Sequence, residues 1–348
     1  MSSAATRVMA RARAVEPGSF ALVMATGIVS VGLTQHGMPG LGRTLFWLNC
    51  VAYLWLLGIS VLRFIFYRRE MVADFVAPGR GAGFLTLVAG TCVLAIQCLV
   101  VVYLPSLARA IAVWGVLCWA VLIYLFFFST MTRRIKAPFR RTINGSWLVV
   151  VVSTQSLAVL TAILAQDGTL ETREWLLFAA MSLYLVGCAW YLIIITLITH
   201  RMVLLPLVAR EFTPPYWINM GALAISALAG SLIILHAPLQ GPLHDLLPFI
   251  KGFTLFYWAM ATWWIPLLVI LELWRHVWSH VPVNYEVDDW DIVFPIGMYT
   301  VCTDALSHAT GVQYLVLIPD IGIYVSLAIW LVVSAGLVYR LLGRRLRT

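Results

Sequence analysis

Apolar runs of membrane-crossing length recur ten times along this chain. Broken by charge, Gly or Pro, they fall at about 18–36, 45–66, 83–103, 107–128, 145–165, 175–198, 217–236, 249–272, 292–309 and 321–342. A hydrocarbon core about 30 Å thick takes about 20 helical residues to cross. Lipid offers the backbone no hydrogen-bond partners, so a run of this kind must close its own as a helix. Of the 348 residues 62% are hydrophobic and 11% charged, whereas soluble domains carry about 45–50% and about 25%. The chain reads as an all-α polytopic membrane protein. No stretch outside the runs is long enough for a second domain. The expected organisation is a basic tail over 1–16, a ten-helix transmembrane domain over 17–342 and a second basic tail over 343–348.

Charge sets the expected topology. There are 23 Lys and Arg against 15 Asp and Glu, and 21 of the cations are Arg. They sit between apolar runs, which points to loop orientation and not to nucleic acid. Counted over alternate loops, nineteen lie on one side and four (Arg43, Arg109, Arg173 and Lys251) on the other. The basic side faces the cytoplasm under the positive-inside rule. Both termini are therefore expected inside, in a multi-pass protein of the plasma (inner) membrane. The first sixteen residues hold Arg7, Arg11 and Arg13 without an apolar core, and read as a cytoplasmic tail and not as a signal peptide. The acidic cluster Glu286, Asp288, Asp289 and Asp291 reads as a solvated cytoplasmic loop.

Polar residues are not shared evenly. The odd-numbered runs hold 29 Ser, Thr, Asn, Gln and Gly in 99 residues, and the even-numbered ones 14 in 114. Polar side chains in a bilayer turn toward protein or water, so the odd helices are expected inside and the even ones against lipid. Stripes sharpen this. Thr26, Ser30 and Thr34 step by four, with Gly27 beside them; Gly83, Thr86, Gly90 and Gln97 share a face. Ser146, Ser153 and Ser156 do so in the fifth run, and Asn219, Ser226 and Gly230 in the seventh. Close packing through small residues explains any one stripe equally well. The asymmetry as a whole suggests five helical hairpins whose odd-numbered helices form an inner ring around a central pore.

Several chemistries lack their residues. There is no GxxxxGK[ST] phosphate loop. His276 and His280 form an HxxxH pair among Trp274, Arg275 and Trp278, where interfacial anchoring is the plainer role, so no metal is expected. The six cysteines nearly all lie in apolar runs with no CxxC and read as inert buried thiols. No catalytic constellation and no cofactor motif is present, so an enzyme is not expected.

Two segments carry a resemblance. PGSFALVMATGIVSVG (Pro17 to Gly32) and WDIVFPIGMYTVCT (Trp290 to Thr303) resemble the tellurite-resistance and C4-dicarboxylate transporter family. That family includes the slow-type anion channels of plant guard cells, yeast malate permeases and sulfite efflux pumps. The ten-span plan extends the likeness over essentially the whole chain. The resemblance implies five hairpins in pseudo-fivefold arrangement, a homotrimer with one pore per protomer, and passage of small anions. It also implies a phenylalanine of the ninth helix occluding that pore, which places the gate at Phe294, Pro295 and Gly297. Pro295 cannot donate to the Asp291 carbonyl, which permits a bend there. Phe20, Thr26, Gly27, Ser30, Thr86, Gly90, Ser153, Ser156, Asn219, Ser226, Gly230 and Val301 are the expected pore lining. Asp304 is an unexpected acid for an anion path, and Pro266 lies in an even helix without a functional account.

Two functions follow. The first is passive movement of chloride, nitrate, sulfite or a C4-dicarboxylate, consistent with the absence of a Lys or Arg in the middle of any run. The second is a proton-coupled organic-acid (C4-dicarboxylate) carrier, in which Asp304 and His308, four residues apart on one helix face, titrate together, or a sulfite- or tellurite-resistance efflux protein of the kind the resemblance implies. The expected partners are the lipid bilayer and small inorganic or organic anions.

Overall fold

The computed structural model describes residues 3–238 and 242–345, and every regular element among them is helical. Ten helices are long: α1 (Pro17–Gln35), α2 (Pro39–Phe66), α3 (Gly81–Val100), α4 (Pro105–Met131), α5 (Gly145–Asp167), α6 (Leu170–Leu204), α7 (Pro214–His236) and α8 (Leu247–Trp278), then α9 (Trp290–Thr310) and α10 (Leu317–Arg345). They coincide with the ten apolar runs. All but α9 are long and apolar enough to cross a membrane. Asp291, Asp304 and His308 dilute the apolar run of α9. The expected tail over 1–16 is helical over Ser3–Ala14 and packs on α2, with Ala12 fully buried. At the other end α10 runs on to Arg345; the rest of the expected tail, 346–348, lies outside the described residues.

Burial divides the helices by parity. Over their most apolar stretches α1, α3, α5 and α7 are 72–83% buried, whereas α2, α4, α6, α8 and α10 are only 11–39% buried. Most of α9 is buried as well. The even helices present rows of large apolar side chains outward, such as Val113, Leu117 and Val121 of α4. A surface of this kind suits lipid and not water.

Contacts repeat along the chain. Each odd helix packs on the even helix that follows it. The odd helices also touch one another in series: α1 with α3, α3 with α5, α5 with α7, α7 with α9, and α9 with α1. Every even helix leans against the next odd helix as well, α10 doing so against α1. Turns between partners are tight. Gly37 and Gly311 take φ of 77° and 74° after α1 and α9, the left-handed conformation that closes a helix at little cost to glycine. Pro39 and Pro105 then open α2 and α4, at a position where the missing N–H goes unused.

A recurrent side-chain clamp fastens each even helix to the next odd one. The Tyr53 hydroxyl of α2 meets Thr91 of α3 at 2.9 Å. Trp119 Nε1 of α4 donates to Thr154 of α5 at 3.0 Å. The Tyr191 hydroxyl of α6 donates to the Asn219 carbonyl of α7 at 3.2 Å. Trp258 Nε1 of α8 donates to Thr303 of α9 at 2.9 Å, and Trp330 Nε1 of α10 to Thr26 of α1 at 3.0 Å. Each is an amphipathic ring, apolar toward the bundle surface, whose polar atom finds a partner inside.

Candidate functional site

The five odd helices begin alike. Short 3₁₀ turns open them at Pro17–Phe20, Gly81–Leu85, Gly145–Leu148, Pro214–Trp217 and Val287–Asp289. Each turn touches the next in that order, and the last touches the first. Small residues permit the approach. A Cβ on Gly145 would collide with the backbone carbonyl of Pro215, and one on Gly83 would press within 3.1 Å of the Gly18 amide nitrogen. This end also carries most of the cations, and several are tied down there. Arg63 and Arg80 pair with Asp74, and Arg140 and Arg201 with Glu211.

A cavity of about 530 Å³ lies at the convergence. Its wall includes Glu16, Gly18, Arg80, Thr86, Asn144, Ser146, Asp288 and Asp291. The positive ends of five helices face it, and three carboxylates oppose them. The acidic cluster is only in part the solvated loop that its composition suggests: Glu286 is exposed, Asp288 and Asp289 are half-buried, and Asp291 is only 6% exposed, because the 3₁₀ turn before α9 folds it inward. Burial pushes the Asp288 carboxyl up to about 6; the Glu16, Glu286 and Asp289 carboxylates add to this and Arg80 opposes it. Asp289 is raised too, first by burial and then by Glu286, against the Glu286 amide and Arg275.

Phe294 lies one turn inward from Asp291 on α9. It is 1% exposed, at a level where α9 meets two neighbours. A Cβ on Gly221 of α7 would press on Pro295 at 2.7 Å, and one on Gly297 would press on Ile28 of α1 at 2.9 Å. Pro295 withholds the N–H that would otherwise satisfy the Asp291 carbonyl. Val301 is buried two turns further in, against the space beside Gly32.

The other residues singled out from the sequence separate into two groups. The first sits at helix seams. Thr26 accepts from Trp330; Ser30 donates to the Gly42 carbonyl of α2 at 2.7 Å. Gly27 makes room for Val93, Asn49 and Gln97, Gly90 for the Phe20 carbonyl and Val23, and Gly230 for Thr254 of α8. The Phe20 ring meets Tyr53 edge-on at 5.8 Å. The second group, Thr86 apart, has no side-chain bond across a seam. Ser153, Ser156 and Ser226 donate only to carbonyls of their own helices, leaving their oxygens available to accept. The Thr86 hydroxyl is shared between the Gly83 carbonyl at 2.7 Å and the Pro17 carbonyl of α1 at 3.3 Å, and it lines the cavity. The Asn219 side chain is fully buried with neither polar atom partnered, which is costly unless water or a ligand visits it.

Asp304 and His308 do meet, at 3.7 Å, far along α9 from the cavity, where the His308 side chain is 67% exposed. The HxxxH pair splits: His276 engages Glu272 and the Val281 carbonyl. No group of three His, Cys, Asp or Glu side chains is arranged to hold a metal among the described residues. Pro266 falls inside α8, and nothing around it explains it. Asn49, which donates to Gln97 of the α3 stripe at 2.7 Å, escaped sequence reasoning because it lies on an even, outward helix. A lone amide in an otherwise apolar run was the available signal.

Comparison with known proteins agrees with this architecture. Residues 14–338 match the family described as voltage-dependent anion channel (SLAC1). An uncharacterised membrane protein of Mycobacterium tuberculosis is 35% identical over 153 residues, covering 43% of this chain and 76% of that protein. An uncharacterised transporter of Methanocaldococcus jannaschii is 19% identical over 306 residues, 86% of each chain. The sulfite efflux pump of Arthroderma otae is 25% identical over 347 residues, covering 93% of this chain and 90% of that protein. A multi-pass helical bundle matched across nearly its whole length in this way belongs to the voltage-dependent anion channel (SLAC1) family.

Proposed function

We propose that the chain conducts small anions along a path enclosed by α1, α3, α5, α7 and α9. In this reading the five consecutive helix pairs are hairpins, their odd members ring the path, and Phe294 occludes it. The observation that carries the proposal is the closed series of contacts among the five buried helices, with a cavity at their starts and Phe294 one turn beyond. An apolar ring across a narrow path stops ions by excluding water, with no charged gate. Ser153, Ser156, Thr86 and Asn219 are the polar groups assigned to the lining. Chloride, nitrate, sulfite and C4-dicarboxylates are the candidate cargoes, sulfite being the one named for the Arthroderma otae relative. Both termini are assigned to the cytoplasm of an inner-membrane protein, and three copies to each assembly.

Replacing Phe294 with alanine tests this. Conductance in planar bilayers should rise at least tenfold while assembly in detergent stays normal. A variant that assembles yet conducts no more than the parent removes Phe294 from the gate. A carrier coupled through Asp304 and His308 is less well supported, because the pair lies far along α9 from the cavity and the His308 side chain is 67% exposed.

A further inference from the structure

Among the described residues, three arginines are at least nine-tenths buried at the cation-rich end of the bundle. Arg63 is 4% exposed, Arg201 5% and Arg275 9%. Two have acid partners: Arg63 pairs with Asp74, and Arg201 with Glu211. Arg275 has neither an ion pair nor a hydrogen bond from its guanidinium among the described residues, and its Nε is fully enclosed without a partner. A buried cation without a partner is strongly destabilising, so an anionic group belongs beside it.

The space for one is present. Arg275 lines a cavity of about 1180 Å³ between the end of α8, the loop leading to α9, and α10. Asp289 on its wall stands near enough to Arg275 for the two charges to act on each other but not within pairing distance, and the acids there have other partners. Glu272 accepts from Trp217 Nε1 at 3.0 Å and faces His276. Asp289 accepts from the Glu286 amide at 2.9 Å, in a reciprocal capping box with that residue. Two more guanidiniums border the cavity: Arg210, and Arg340, which stacks on Tyr285. The opposite wall is apolar, formed by Ile329, Val332 and Val333 of α10. Val332 faces outward, 72% exposed, as does Trp278 on α8, 66% exposed. A tryptophan on an outward face at a helix end marks the depth of the headgroups. The cavity thus offers cations at headgroup depth and an apolar groove running toward the bilayer core.

We infer that this cavity binds an anionic phospholipid, its phosphate on Arg275 and an acyl chain along α10. Basic pockets between helices at the membrane surface take headgroups in this manner. The site lies outside the five buried helices and does not depend on the anion path.

Retention of phosphatidylglycerol and of phosphatidylcholine is measured on the purified full-length protein by native mass spectrometry and by thermal stabilisation. The wild type should hold phosphatidylglycerol at least tenfold more tightly. Arg275→Gln should cut that preference by roughly tenfold to a hundredfold, the value of one charge-assisted bond, and Arg275→Lys should keep part of it. Ala335→Trp fills the groove from an exposed position and leaves every charge in place. It should weaken phosphatidylglycerol even if Arg275→Gln cannot be purified. An undiminished preference in either variant overturns the inference. So does equal stabilisation of the wild type by inorganic phosphate alone, which would make this a free-anion site.

Discussion

Asp288 gives the most quantitative test of the mouth. An anion at the centre of a cavity of about 530 Å³, the volume of a sphere roughly 5 Å in radius, sits about 5–7 Å from its wall. At an effective dielectric of about 20, one carboxylate there repels it by about 2–3 kcal/mol. Screening at physiological salt, with a Debye length of about 8 Å, leaves about 1–2 kcal/mol. Asp288→Asn should therefore raise anion conductance about five- to thirtyfold at pH 7.5. The measurement belongs in the Phe294→Ala background, where entry and not the ring limits flux. With its carboxyl at about 6, Asp288 goes from about 90% ionised at pH 7 to about 10% at pH 5. Acidifying the side that bears the mouth should then mimic the substitution, and the Asn variant should lose most of that response. Stability follows the same carboxyl. Its value in the folded state lies above the 3.8 of a free carboxyl, so its contribution is full below about pH 4 and is lost as pH rises through about 6. The difference is worth about 3 kcal/mol in full, and about 1–2 after solvent screening. Thermal unfolding in detergent should show Asp288→Asn stabilised at pH 8 and unchanged at pH 4. Equal conductance of parent and variant at pH 7.5, together with flux that does not change with pH, would refute an acidic mouth on the path.

Three further outcomes are expected. A cysteine placed in the loop between Arg133 and Arg141 should be labelled only from the cytoplasmic side of intact cells; labelling from outside reverses the map. Cysteines at Ser153 or Ser156 should react with small water-soluble thiol reagents and lower flux, whereas one at Leu117 on the outward face of α4 should do neither; equal reactivity at both sets argues against a path among the odd helices. Trp330→Phe removes one clamp and should cost about 0.5–1.5 kcal/mol in thermal unfolding; conductance should hold in the Phe294→Ala background, and a fall there would move Thr26 from the seam into the path.

The ten helices were legible because lipid-length apolar runs have one structural solution, and their boundaries moved by only a few residues. The odd–even burial was legible too, from polar counts. What polarity could not reveal was where each hydroxyl points. Thr26 and Ser153 look alike in sequence, each a small polar residue on an odd helix. One is held by an indole from α10 and the other bonds only its own backbone. The difference lies in a partner some 300 residues away, which no local pattern encodes. Asp291 failed as a solvated residue for a related reason. Charge patterning describes the loop it follows, whereas its burial comes from a 3₁₀ turn packed among four others.

The clamps and the mouth together give the odd–even asymmetry two sources. Part of the polarity on the odd helices serves the seams, where aromatic residues on the even helices supply donors and each threonine or carbonyl accepts. In lipid such bonds are the main alternative to packing for holding helices together, so their recurrence at five seams ties the outer layer to the inner one without a strong apolar driving force. The remaining polarity, at Ser153, Ser156 and the Asn219 side chain, is left without seam partners. Groups with unspent acceptors or donors, buried among helices already clamped from outside, have only the interior to face. A bundle fastened at its rim can leave its axis loosely bonded, and Phe294, one turn beyond the mouth, is the large side chain proposed to close that axis.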